Sequence, residues 1–462
     1  MPARNYYQSR GVNTMKRFVV TILFALILLP LASVVYAGGA GPDKSMLKGV
    51  FTEINEAQHT AVLKKDVTGE MKSLIIGEKV KPENLRLGKK VLVSMDHDAG
   101  ENVIKSVDIM FMDITLQRLI ALLVVGLVGG LLSGFIGSGG AFVLTPAMMT
   151  LGAPGAVAVA SNMCHKFPKA MIGCFKRWKY GQVDLKLAGI MTLSSVVGVQ
   201  IGVMIQKYIL NHWGNAGSNL YVSVVFFIIL IVVGGYVAMD AYKLSQGTSE
   251  SGAETPKFAL MMQKINLPPM IHFKVAKVTI SLWVTIPVGL ATGMLAATIA
   301  VGGFIGVPGM IYVVGASAVV SSATELGIAF LMGMWGSIQW GLSGLIDIRL
   351  TLIILATSLI GVQLGALGTT YVKDYMIKIV MAATMLIVSV SRGAKIPGYL
   401  EALNLVSPLN PDTVAILESI SFWALVAALA IAGGIIAIAM IKGMLSARNE
   451  AKPDIIAEAD RA

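Results

Sequence analysis

The chain has 462 residues, 55% of them hydrophobic and only 14% charged, with a mean hydropathy of +0.74. A soluble globule of that composition would lack polar surface, so the solvent for most of the chain is lipid. The formal charge of +11 sits in short basic clusters beside apolar segments, as the positive-inside rule expects, and argues against a nucleic-acid partner.

Residues 1–37 end in MKRFVVTILFALILLPLASVVYA: a basic start, an apolar run and a small-residue end, which is the grammar of a secretory signal, either removed or kept as an anchor. Residues 45–112 change to short alternating segments such as LKGVFTEI, TAVLKK, KSLIIG and KKVLVSM between turn-rich pieces, predicting a small all-β domain of about five strands that resembles OB-like barrels. Asp96, His97 and Asp98 there read as a solvated turn rather than a metal site.

Apolar stretches long enough to cross a bilayer run near 118–136, 155–173, 187–207, 220–242, 279–300, 318–341, 350–369, 373–390 and 419–441, with two shorter ones at 140–152 and 303–315. Cys164 and Cys174 share one such stretch and on a helix lie about 15 Å apart, beyond disulfide reach.

Self-comparison finds a single gapless offset of 163 residues. It pairs Gly139-Gly140 with Gly302-Gly303, Gly152-Ala153 with Gly315-Ala316, Gly181 with Gly344, Asp184 with Asp347, Lys186 with Arg349, and Gly198 and Gly202 with Gly361 and Gly365. The predicted fold is therefore an all-α polytopic membrane bundle of two repeats, 116–243 and 279–391, each with a glycine-broken, re-entrant helix. A linker (244–278), a loop (392–418), an additional helix (419–443) and a tail (444–462) complete the chain.

The loop from Cys174 to Lys186 carries Lys176, Arg177, Lys179 and Lys186, whereas its partner keeps only Arg349. The first loop is thus expected inside and the second outside, and the repeats are inverted in topology. Residues 45–112 are expected to be extracytoplasmic, 244–278 and 444–462 cytoplasmic, in a bacterial inner membrane.

Breaks near the bilayer centre free backbone N–H and C=O groups that only protein or a wet cavity can satisfy. The first break, Gly134 to Pro146, contains Gly137, Ser138, Gly139, Gly140, Thr145 and Pro146; the second contains Gly302, Gly303 and Pro308. Glycines opening a short helix can aim several free N–H groups at an anion; the alternative is close helix packing alone. Gly137-Ser-Gly139 is no dinucleotide fingerprint, since a third glycine and a preceding strand are missing.

The motif Gly-Ser-Gly-Gly-x5-Pro146, the Gly-Ala-Pro that follows, Ala158-Val-Ala-Ser161, the basic-Tyr-Gly-x-Val-Asp-Leu loop and Gly-x-x-x-Gly202 resemble the TauE/SafE family of membrane anion permeases over residues 115–391. The resemblance implies transport of sulfite, sulfonates or related organosulfur anions, usually outward and coupled to an ion gradient.

Intramembrane ionisable residues are functional candidates because hydrocarbon penalises them; here they are His165, Lys166, Lys169 and Glu325, with the polar Asn162. Glu325 aligns with Asn162. Lys166 is suited to neutralise an anion and Glu325 to carry a coupling proton, while Lys169 is expected to snorkel and His165 to be packed and hydrogen-bonded. Gln200 and Gln363 occupy matched apolar helices, where interhelical bonding and substrate contact are both open.

The expected partners are a small anion, a coupling proton or sodium ion and the bilayer, with a homo-oligomer left open and no cofactor or metal. No nucleophile–base constellation points to an enzyme. The competing reading is a membrane-anchored sensor or assembly factor working through the β domain.

Overall fold

The computed structural model describes residues 46–459 apart from 56, 67, 78–79, 81–84, 96–101, 137–139, 247–256 and 369–373. The signal-like segment, the Asp96–Asp98 turn, and Gly137, Ser138 and Gly139 lie outside the described residues.

Five strands, β1 (Met46–Asn55), β2 (Thr60–Lys65), β3 (Met71–Ile76), β4 (Lys90–Met95) and β5 (Val103–Ile109), close into a barrel in the order β1-β2-β3-β5-β4. The β3–β5 pair is parallel, and β4 runs antiparallel to β5 with Val91 opposite Ile109. Period-2 alternation turns Leu63, Leu74, Val91, Val93 and Ile104 inward, which is what makes a barrel this small self-supporting.

The remainder is mostly helical: α1 (Leu116–Ile136), α2 (Ala141–Thr150), α3 (Gly155–Lys179), α4 (Leu185–Ser245), α5 (Lys257–Gln263), α6 (Leu282–Ile299), α7 (Gly303–Gly309), α8 (Ala318–Leu342), α9 (Ile348–Gly368), α10 (Asp374–Ala402) and α11 (Pro411–Ala459). A wider π-helical turn, Met310–Val314, extends α7, and a hairpin of β6 (Met270–Phe273) and β7 (Val278–Ser281) precedes α6. Among the described residues seven helices are long and apolar enough to cross a membrane. The chain is a multi-pass membrane protein: Val197, Ile201 and Met204 of α4 and Leu352, Ile360 and Leu364 of α9 are exposed, a band that water would not tolerate.

Two elements differ from expectation. The two apolar stretches at 187–207 and 220–242 are, as expected, two helical runs, labelled together as α4 and separated by a kink at the non-helical Gly214 (φ 60°), where the carboxylate of Asp108 on the barrel accepts the N–H of Asn215 at 3.2 Å and caps the second run. Helix α3 has the length of a span but is absent from the seven, because it carries Asn162, His165, Lys166 and Lys169, all buried inside the bundle. Helix α10 runs to Ala402 instead of giving way to a loop at 392, and Arg392 within it is fully buried.

Packing crosses between the two halves of the chain. α1 lies against α9, the first half of α4 against α6, and α3 against α8. At the first two interfaces backbones touch through glycine. Gly130 abuts the backbone of Ser358 and Gly361 that of Leu127; at positions 163 residues away, Gly293 abuts Ser195 and Gly198 abuts Leu290.

Hydrogen bonds repeat the pattern. The N–H of Asp184 donates to Thr324 Oγ1 at 3.1 Å, and the N–H of Asp347 donates to Ser161 Oγ at 3.0 Å. Arg349 Nη2 donates to the carbonyl of Met112 ahead of α1 at 3.2 Å, while the carboxylate of Asp184 accepts the N–H of Val275 ahead of α6 at 2.9 Å.

The barrel and the β6–β7 hairpin occupy opposite ends of the bundle. The barrel reaches Asn215 through Asp108 and the carbonyl of Ser343 through Lys48 Nζ at 3.2 Å. The hairpin packs through Phe273 and Ile280 on Leu187, Met191, Met310 and Val314, and Gln263 Nε2 donates to the carbonyl of Val314 at 3.0 Å.

Candidate functional site: two broken helices and a buried lysine

Each short apolar helix turns back beside the long helix that leads into it. Gly140 stands at the start of α2 so close to α1 that a methyl group there would strike the backbone of Gly129; at Gly302 it would press on Ala296 and Met332. Close packing is therefore a demonstrated reason for these glycines, and its effect is to bring both helix starts inward. Phe142 of α2 and Phe304 of α7 meet edge to face with ring centroids 4.7 Å apart, both buried. Gly152 (φ 104°) and Gly315 (φ 91°) end the two short segments in the left-handed region.

Asn162 of α3 uses its amide nitrogen to hold α2 and its amide oxygen to face His165 on its own helix. Its Nδ2 donates to the carbonyl of Ala141 at 3.2 Å and to Thr145 Oγ1 at 2.8 Å, and its Oδ1 faces His165 Nδ1 at 3.3 Å. His165 Nε2 lies 2.8 Å from Ser358 Oγ on α9. Asn162 Oδ1 is an acceptor, so Nδ1 carries a proton and donates to it; Ser358 Oγ, which also lies 3.2 Å from the carbonyl of Leu355, faces Nε2. The sequence candidates Asn162 and Thr145 thus help to fix α2 against α3. Pro146 follows within the same helix and, like Thr145, is buried.

Lys166, one turn further along α3, is different. It is 7% exposed, and its Nζ has no hydrogen-bond partner among the described residues. Glu325 of α8 is 2% exposed, and neither carboxylate oxygen has one. The two groups act on each other electrostatically without forming an ion pair. Glu325 lies over the second broken helix, since a methyl group on Gly306 would meet its Oε2. Matched positions on α3 and α8 thus each cover a broken helix, Asn162 with both polar atoms hydrogen-bonded and Glu325 with neither.

An unpaired ammonium and an unpaired carboxylate inside a membrane bundle are both costly. Lys166 offers three N–H donors and one positive charge to an anion; Glu325 offers a proton acceptor beside it.

The other candidates fall elsewhere. Gln363 is exposed on the outer face of α9, and Gln200 is half-buried on α4 with an unpartnered Oε1. Lys169 does not snorkel to the surface: it is 8% exposed, turned in with the rest of that face of α3. Gly303 and Pro308 belong to α7 itself. Arg392 was missed, because the Ser-Arg-Gly-Ala-Lys that contains it reads as the end of a span. A cavity of about 380 Å³ between the barrel and the α8–α9 turn, lined by Lys89, Lys90, Asp113, Asp347 and Arg349, lies apart from Lys166 and Glu325. Its charges are already paired, Asp113 with Lys89 and Asp347 with Arg349.

No curated protein and no solved structure matches the chain. The family model described as sulfite exporter TauE/SafE matches residues 122–392, from α1 to α10, leaving the barrel and α11 outside the match. With that match covering both broken helices, Lys166 and Glu325, the chain belongs to the TauE/SafE family of sulfite exporters.

Proposed function

We propose that this protein is a secondary permease for small anions, of the sulfite, sulfonate or related organosulfur class, working by alternating access around its two broken helices. The observation that carries the reading is Lys166, a buried cation without a hydrogen-bond partner beside paired breaks, in a chain that belongs to an exporter family. Its ammonium receives the anion, with the helix starts near Gly140 and Gly302–Gly303 supplying backbone N–H groups.

The inverted-repeat architecture is part of the proposal. It is supported by the 163-residue offset and by the reciprocal bonds of Asp184 with Thr324 and Asp347 with Ser161. Two similar halves packed crosswise have two equivalent ways to tilt, which is the usual mechanical basis of alternating access. Glu325 takes and releases the coupling proton, since its carboxylate is the acidic group beside Lys166. The basic loop at 176–186 supports a topology with the hairpin end inside and the barrel, whose strand order and parallel β3–β5 pair support an OB-like reading, outside.

The test is uptake and release of radiolabelled sulfite, sulfate and a sulfonate by vesicles holding the purified protein, with and without a pH gradient. Gradient-dependent flux of one anion that is lost in Lys166→Gln supports the carrier reading. Flux of none in either direction would transfer the case to a sensor or assembly role for the barrel.

A further inference from the structure

The bundle holds a second buried cation outside the central cluster. Arg392 of α10 is fully buried. One arm of its guanidinium is used: Nη2 donates to Thr150 Oγ1 at 2.5 Å, and to Ser391 Oγ and Ser421 Oγ at 3.3 Å each. Its Nε and Nη1 have no hydrogen-bond partner. No carboxylate pairs with it in an ion pair among the described residues.

Hydroxyl groups from three helices converge on this charge without neutralising it. Thr150 ends α2, the helix whose other end opens at Gly140 beside the central cluster. Ten helical residues span about 15 Å, so the two cation sites lie at opposite ends of one short broken helix. The α2 end at Thr150 is on the barrel side, because Gly152 sits against the guanidinium of Arg118, which itself binds the carbonyl of Asp113 at the barrel exit. Ser421 comes from α11, outside the family match.

We propose that Arg392, with Thr150, Ser391 and Ser421, forms a second oxyanion subsite on the barrel side of the central one, completed by the C-terminal helix. The free Nε–H and Nη1–H lie on different edges of the planar guanidinium, and each supplies a donor for an oxygen of a sulfite- or sulfate-like ion. An ion bound there offsets the uncompensated charge, which otherwise penalises the fold. The proposal rests on the carrier reading for the identity of the anion.

Sodium sulfite is titrated against the full chain, delipidated in uncharged detergent, with sodium chloride at matched ionic strength as reference; thermal protection and anion binding are followed in wild type, Arg392→Gln, Arg392→Lys and Lys166→Gln. The wild type is expected to show two binding components. Arg392→Gln should lose one and keep the other, Lys166→Gln should lose the complementary one, and Arg392→Lys should weaken the first at least tenfold while restoring stability if the glutamine variant folds poorly.

Unchanged binding in both Arg392 variants would overturn the subsite. So would protection conferred only by added phosphatidylglycerol, which would make the residue a lipid-phosphate site. Vesicle flux by the wild type is scored separately, so failure of the carrier reading is distinguishable from failure of the subsite.

Discussion

The carboxylate of Asp184 joins the α3–α4 turn to the linker ahead of α6, and its replacement gives a sharp test of the crosswise packing. It is 2% exposed and accepts four backbone N–H groups: Lys186 at 3.2 Å and Leu187 at 3.1 Å at the start of α4, and Val275 at 2.9 Å and Ala276 at 3.1 Å in the linker. Asp184→Asn keeps the size, but its amide nitrogen must face one pair of donors, so two N–H groups lose their acceptor.

Each hydrogen bond to a charged group contributes about 1.5–3 kcal/mol, so two lost bonds weaken the latch by roughly 3–6 kcal/mol, a large share of a typical folding free energy. Lys274 and Lys277 flank the latched pair and are exposed, which makes trypsin the assay. Cleavage needs the β6–β7 hairpin to open, and in the fast-reclosing regime its rate follows the open population. At about 1.4 kcal/mol per tenfold, the variant should be cut between Phe273 and Val278 at least a hundredfold faster, with other sites little changed. A rate within fivefold of wild type would refute the latch.

Removing the unpaired charge at the centre should separate stability from activity: Lys166→Met is expected to raise the thermal midpoint, because a buried cation without a partner is relieved, while sulfite flux falls at least a hundredfold. Glu325→Gln should retain anion binding by equilibrium dialysis but lose the response of flux to a pH gradient.

Gly130→Leu and Gly293→Leu place the same overpacking at matched interfaces, against Ser358 and Ser195. Each should cost at least about 1–3 kcal/mol, read as equal falls in detergent melting temperature. At the barrel junction, burial first and Lys207 second push the Lys48 ammonium down to about 8. Because the folded protein disfavours this charge, stability should rise with pH from about 8 to 10.5, where the unfolded lysine also titrates. The difference in unfolding free energy between Lys48→Met and wild type should therefore favour the variant at pH 7, by up to on the order of 3 kcal/mol, and disappear by pH 10.5.

Architecture was legible in the sequence wherever a local pattern carries it. Hydropathy marks the spans because each must satisfy its backbone within lipid. The 163-residue offset aligns Gly152 with Gly315, both at positive φ, where the backbone demands glycine; it also aligns Asn162 with Glu325, where the residue types differ.

Interactions between distant segments were not legible. That Asn162 is hydrogen-bonded and Glu325 is not depends on where Ala141, Thr145 and His165 come to lie around one and what surrounds the other. That Gln363 faces outward depends on which side of α9 the Gly361 contact with α1 selects. Arg392 reads as a boundary residue in a mixed polar stretch and becomes a buried cation only because α10 continues to Ala402 and α2 and α11 close over it. Chain order thus determined the helices and their breaks, while the burial of each charge, and with it the chemistry of both cation sites, was decided by packing across the two halves.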